Sequence, residues 1–173
     1  MIGLRPFALA TVASALTIAS AAHAATKLTP FSLPWKNAPE SGAELRSADH
    51  PNAVYVFEVF QNSCGGCNDN APNVDALSAS FEGQGDVQVL DVGIGQTDAD
   101  FAQWIAHHAP NHPVVAGNRA LMRQLGVQST PSVYVIDCNL NVVYENGGFW
   151  SVPFRPQLRQ VVADTLASQH CGE

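Results

Sequence analysis

Basic side chains are scarce in this chain. Eight Lys and Arg stand against 15 Asp and Glu, a formal net charge of −7 over 173 residues. Phosphate recognition needs basic surface, so nucleic acid is not expected as a partner. Apolar runs are short as well. The most apolar stretch, Phe7–Ala22, spans 16 residues, below the roughly 20 that cross a bilayer. No low-complexity tract, internal repeat or long linker divides the chain, which leaves room for one domain and a modest N-terminal extra. A second Cys-x-x-Cys is also missing. The pair Cys64 and Cys67 therefore lacks the partner motif that would most simply complete a tetrahedral zinc site.

The N-terminus reads as a targeting segment. Arg5 gives a positive start, Phe7–Ala22 is apolar, and Ala22-His23-Ala24 places small residues at the −3 and −1 positions of a signal-peptidase site. The expectation is a cleaved signal peptide at 1–24 and a domain at 25–173, with the periplasm as destination. A buried helix or a membrane anchor is the alternative. No Cys sits at the cleavage point, so a soluble form is expected rather than a lipid-anchored one. In an oxidising compartment, the four cysteines should be paired, catalytic or both.

The rest of the chain alternates strand and helix patterns. Ala53–Phe60 (AVYVFEVF) is apolar on both alternating faces except at Glu58, as in a strand covered on both sides. A helix with Val74, Leu77 and Phe81 on one face follows, ending near Gly83 and Gly85. Val87–Val92 is a second strand. Thr97 or Asp98 can cap a helix carrying Phe101, Trp104, Ile105 and His108, which Pro110 stops. His112–Ala116 reads as a short strand, and Asn118 opens a helix closed by Gly126. Ser132–Ile136 and Val142–Glu145 form a hairpin, and Pro156–Ser168 a last helix. This order predicts an α/β domain with a mixed central sheet and helices on both faces.

A Cys-x-x-Cys where a buried strand meets a helix has a definite chemistry. The first Cys lies at the helix N-terminus, where free N–H groups and the helix dipole stabilise a thiolate. The second lies one turn on, in reach of a mixed disulfide formed by the first. Cys64 is the expected attacking thiol and Cys67 the resolving one. A static disulfide, half a zinc site, or a soft ion such as Cu(I) held by the pair are the alternatives. His107, His108 and His112 cluster in sequence, and packing or solvation accounts for them more simply than metal does. No metal or other cofactor is expected.

Phe57–Pro72, FEVFQNSCGGCNDNAP, resembles the active-site segment of thioredoxins, and Gly126–Ser132, GVQSTPS, resembles their cis-proline loop. The helix, HPVVAG strand and helix between Asp98 and Leu125 are similar to the insertion of the TlpA/ResA-like branch of exported thioredoxins. The likeness covers nearly all of the chain from Phe31 onward. It implies a thioredoxin-like three-layer α/β/α fold with an inserted helix and short strand. It also implies that Pro131 is the cis-proline, that Thr130 before it offers its backbone to an extended peptide, and that Pro72 interrupts the active-site helix. Glu58 takes the place of the buried acid of thioredoxins; a carboxyl in an apolar strand should hold its proton tightly and could accept the one from Cys67. Two departures stand out: Ser63 replaces the usual tryptophan before Cys64, and Gly65-Gly66 contains no proline. They leave the direction of electron flow open.

In a thioredoxin-like topology the last helix runs back toward the hairpin turn, which brings Cys138 and Cys171 together as a structural disulfide. Closing a loop of about 34 residues would contribute on the order of 3–4 kcal/mol. The implied activity is thiol–disulfide exchange with exported protein thiols or disulfides, as reductase or isomerase. A membrane or soluble redox partner would reset the Cys pair. A non-catalytic assembly module on the same fold has no need of Cys64, Cys67 and Pro131 together. Thiol peroxidases share the fold but do not usually rely on a Cys-x-x-Cys at this position.

Overall fold

The computed structural model describes residues 26–38, 40, 42–84, 86–147, 154–168 and 171. The expected signal peptide at 1–24 lies outside them. Two short strands come first, β1 (Ser32–Pro34) and β2 (Glu44–Arg46), paired antiparallel. Then follow β3 (Val54–Phe60), α1 (Gly65–Ser80), β4 (Val87–Gly93), α2 (Asp98–His108), β5 (Val114–Ala116), α3 (Arg119–Leu125), β6 (Ser132–Ile136), β7 (Val142–Gly147) and α4 (Phe154–Ser168). The main sheet has the order β5-β4-β3-β6-β7. Its β3–β4 and β4–β5 pairs are parallel, and β3–β6 and β6–β7 antiparallel.

β3 is central, and all seven of its residues are buried. That explains why its sequence is apolar on both alternating faces. Tyr55, Phe57 and Val59 point to one face, where they pack with Leu90, Val92, Tyr134 and Ile136. Leu121 and Leu125 of α3 cover that face, together with Leu28, Phe31, Leu33 and Leu45 of the N-terminal arm. Phe31 stands edge-on to both Tyr55 and Phe57, with ring centroids 5.2 and 5.4 Å apart. Val54 and Val56 point to the opposite face, against Val74 and Leu77 of α1 and Leu158 and Val162 of α4. Phe60, Phe101, Trp104 and Cys67 form a third cluster at the upper end of this face.

The helix ends follow their sequences. Thr97 caps α2 through a reciprocal capping box with Asp100, and Ala109 at φ 46° terminates it. Asn118 caps α3, which Gly126 closes in the left-handed region. Gly93 is held to hydrogen by crowding rather than by φ: a Cβ there would meet the Phe101 ring, and Phe60 at 3.1 Å.

The N-terminal arm is the part of the fold that strand–helix patterning does not predict. Phe31-Ser32-Leu33 is apolar enough to notice but too short to carry a period. Only the antiparallel pairing of Leu33 with Leu45 reveals it as β1. The segment then runs on beside β5 through a bridge between Trp35 and Val115 and the Lys36 N–H to Val114 carbonyl bond.

Candidate active site

β3 ends at Phe60, and a three-residue connection delivers the chain to Cys64, the N-cap of α1. Cys64 is extended, with φ −84° and ψ 111°, and its Sγ accepts a hydrogen bond from the Cys67 N–H at 3.1 Å. The sulfur therefore sits on the free N–H groups of the first helical turn, where negative charge is stabilised. Cys64 is partly exposed and Cys67 is 1% exposed. The two are joined as a disulfide, with Cα atoms 5.2 Å apart. In this arrangement an incoming sulfur can reach Cys64 but not Cys67.

Side chains at this junction hold it rigid. The Asn68 amide donates to the carbonyls of Asn62 at 3.0 Å and Cys64 at 2.9 Å. With the amide so occupied, the Asn68 oxygen is an acceptor, and His108 Nε2 lies 2.9 Å from it. That contact places the ring proton of neutral His108 on Nε2. The His108 ring rests on Trp104 at 4.2 Å between centroids, and Trp104 in turn stacks on Phe60 at 4.1 Å. Burial, and then the neighbouring His107, pull the His108 pKa below its ordinary value.

The loop between α3 and β6 approaches from the other side. The Thr130–Pro131 peptide is cis, and Pro131 is buried against Gly66. A Cβ built on Gly66 would lie 3.3 Å from Pro131 Cδ, whereas one on Gly65 meets nothing within 4 Å. Thr130 is partly exposed, and its hydroxyl reaches the Gln61 side chain at 3.4 Å. The residues singled out at 64, 67, 130 and 131 thus meet at one end of the sheet. Pro72 lies inside α1, exposed.

Glu58 is 2% exposed on the α1 face of β3. Its Oε1 accepts from the Asn70 amide at 2.9 Å, and the Asn70 oxygen accepts from Asn73 at 3.2 Å. Its Oε2 has no hydrogen-bond partner. Burial pushes the Glu58 pKa well above its ordinary value; the Asn70 bond opposes this, Asp91 reinforces it and His112 opposes it. The carboxyl is therefore not isolated, as the surrounding sequence suggests. Asp91 of β4 is its register partner and is also buried.

Asp91 belongs to a cluster that sequence reading misses. Trp104 Nε1 donates to its Oδ2 at 2.9 Å, and His112 Nε2 lies 3.2 Å from its Oδ1. On its other side His112 Nδ1 is 3.2 Å from Asp75 Oδ1. His112 is thus a buried side chain between two carboxylates. Burial alone would lower its pKa, but the contacts to Asp75 and Asp91 outweigh that and push it up to about 9. His112 stands four residues after His108, yet the helix ends between them at Ala109, and the two rings face different partners. Among the described residues, no group of three or more His, Cys, Asp or Glu is arranged to hold a metal ion.

Cys138, in the β6–β7 turn, and Cys171, beyond α4, form a second disulfide with Cα atoms 5.6 Å apart. Asp137 shapes that turn by accepting from the Asn139 and Asn141 N–H groups at 2.9 and 2.8 Å.

Comparison with solved structures places this architecture in the thioredoxin-like fold. The thiol:disulfide interchange protein DsbE of Chlorobium tepidum is 22% identical and superposes with a TM-score of 0.70, covering 82% of this chain and 96% of its own. A thiol-disulfide isomerase from Corynebacterium glutamicum is 19% identical with a TM-score of 0.69, covering 84% and 99%. StoA of Bacillus subtilis is 12% identical with a TM-score of 0.62, covering 76% and 95%. These likenesses show the fold alone, over an element order that includes α2 and β5 between β4 and α3. No curated protein matches the chain. Residues 24–145 do match the model of one protein family, and the chain accordingly belongs to the AhpC/TSA family.

Proposed function

We propose that this protein is an exported thiol–disulfide oxidoreductase that exchanges disulfides with protein thiols through Cys64 and Cys67, as a reductase or isomerase in the periplasm. The observation that carries the reading is the asymmetry of the pair, a reachable sulfur on a helix N-terminus bonded to one that is 1% exposed. In the reducing direction, the Cys64 thiolate attacks a substrate disulfide. A Cys64–substrate bond forms, and the first substrate sulfur leaves with its electron pair. Cys67 then gives up its proton and attacks Cys64 Sγ. The Cys64–Cys67 bond closes, and the second substrate thiol departs. Glu58, buried on the face of β3 that α1 covers, is the group to accept that proton. The Thr130 backbone beside Pro131 is the surface on which an extended substrate segment would pair. Each cycle oxidises the pair, so a membrane or soluble dithiol partner must reduce it again.

Export is read from Arg5, the apolar stretch to Ala22 and the Ala22-His23-Ala24 cleavage site, giving a processed domain that begins at Ala25. The Cys138–Cys171 bond is read as a structural staple suited to an oxidising compartment. Two of the fold neighbours, a thiol:disulfide interchange protein and a thiol-disulfide isomerase, support this reading of the activity.

Insulin reduction in the presence of a dithiol tests the reading. Wild-type protein should accelerate precipitation of the insulin B chain, and Cys64→Ala should return the rate to that of the dithiol alone. Undiminished acceleration by Cys64→Ala would remove the basis for the proposal.

A further inference from the structure

Two carboxylates share the buried face of the sheet that α1 covers. Glu58 and Asp91 are register partners on adjacent parallel strands, and such partners project to the same side of the sheet with backbones about 4.8 Å apart. Both are buried, at 2% and 1% exposure. Two like charges at that spacing in a low-dielectric interior cannot both ionise cheaply. The groups around them come from every packed element: Asn70, Asn73 and Asp75 from α1, Trp104 and His108 from α2, His112 from the loop before β5, and apolar Val133 opposite Glu58 on β6. The only side chains among these that can be cationic are the two histidines, and only His112 is in direct contact with Asp91. Glu58 Oε2, Asp91 Oδ1 and His112 Nε2 make no aligned hydrogen bond, so His112 and Asp91 meet as an ion pair at 3.2 Å.

We propose that His112, gripped between Asp75 and Asp91, is a positioning residue for the resolving step: its positive charge cancels that of Asp91 and thereby lets the neighbouring Glu58 carboxyl ionise to take the proton of Cys67. This rests on the redox reading of Cys64 and Cys67 and assigns part of the machinery to a cluster that touches neither sulfur. The balance of the step is unchanged. The Cys67 proton moves to Glu58, the Cys67 sulfur bonds to Cys64, and the outgoing thiolate carries the electron pair of the broken bond. His112 exchanges nothing with the substrate; it supplies the compensating charge. Asp75 is the outer clamp, with a side chain 29% exposed, and can be altered from the surface.

The experiment follows the second phase of reaction with an aromatic disulfide (Ellman's reagent). The reduced protein first releases one coloured thiolate as Cys64 attacks. It then releases a second in a first-order step as Cys67 displaces the adduct on Cys64. The rate of this second step is measured against pH. Neutralising His112 leaves the Asp91 charge uncompensated, so His112→Gln should move the midpoint up by about half a pH unit or more. Asp75→Asn should move it the same way by less, and it disturbs only a partly exposed side chain, so the test stands even if His112→Gln folds poorly. Asp91→Asn should move it down. A purely structural role predicts otherwise. Loosened packing would admit water, stabilise ionised Glu58, and move all three midpoints down. A downward or null shift in His112→Gln, or in Asp75→Asn where only that variant folds, overturns the inference. If wild-type protein shows no second release, or if Cys67→Ser leaves that phase intact, the redox reading itself fails. The two failures are therefore distinguishable.

Discussion

Raising the pH strips His112 of its proton and should weaken the fold by an amount the structure sets. Its pKa is pushed up to about 9 by Asp75 and Asp91 despite its burial, against about 6.5 in an unfolded chain. A group whose folded pKa is raised stabilises the protein fully below the unfolded value and loses that contribution as pH rises through the folded one. Between pH 7 and pH 10 the linkage relation gives a loss of about 2–3 kcal/mol. For a domain of this size, that corresponds to a drop in Tm of roughly 5–12 °C. The measurement is urea unfolding of the oxidised protein across that range, beside His112→Gln. The four cysteines are paired and do not titrate, and Tyr55 is pushed up to about 12 by burial, above the window. The variant should be less stable at pH 7, because Asp91 keeps only Trp104, and the gap to wild type should narrow toward pH 10. Parallel curves for the two proteins would refute the idea that His112 is held as a cation.

Other perturbations separate the remaining parts of the account. Glu58 has a raised pKa from burial, so stability falls as pH rises from the unfolded value toward the folded one. Glu58→Gln should therefore raise Tm at pH 7 and not at pH 4 by calorimetry, while slowing the resolving step; equal stability at both values would count against a raised pKa. Gly66→Ala pushes a Cβ to 3.3 Å from Pro131, whereas Gly65→Ala enters open space. Insulin reduction should fall several-fold in the first and stay near wild type in the second. Replacing Cys138 and Cys171 together by Ser removes a crosslink spanning 33 positions and should cost about 3–4 kcal/mol in urea unfolding, with insulin turnover retained at 25 °C.

The legible parts of the molecule were those in which local pattern and tertiary role coincide. AVYVFEVF reads as a central strand because β3 is covered on both faces. Cys64 reads as a nucleophile because strand end, cysteine and helix start are contiguous in sequence. The Asn118 and Gly126 boundaries of α3 are visible for the same reason. What stayed hidden depends on register and packing across distant segments. Asp91 sits in a strand whose apolar residues mask it, and only pairing of β3 with β4 brings it beside Glu58. His112 looks like a loop histidine next to Pro113 until α1 supplies Asp75 and β4 supplies Asp91. Asn68 carries no signal of its own, being one polar residue among several in NDN, yet it ties two carbonyls and His108 together. The β1–β2 pair escaped notice because strands of three residues leave no period to read.

The central claim is that Cys64 attacks and Cys67 resolves. Trapping tests it most directly. Cys67→Ser and Cys64→Ser proteins are each reduced, mixed with a disulfide-containing protein substrate and resolved by non-reducing mass spectrometry. The account predicts a stable covalent adduct mapped to Cys64 in Cys67→Ser, and none in Cys64→Ser, whose remaining thiol at position 67 is buried. An adduct through Cys67 in Cys64→Ser, or none through Cys64 in Cys67→Ser, would contradict it.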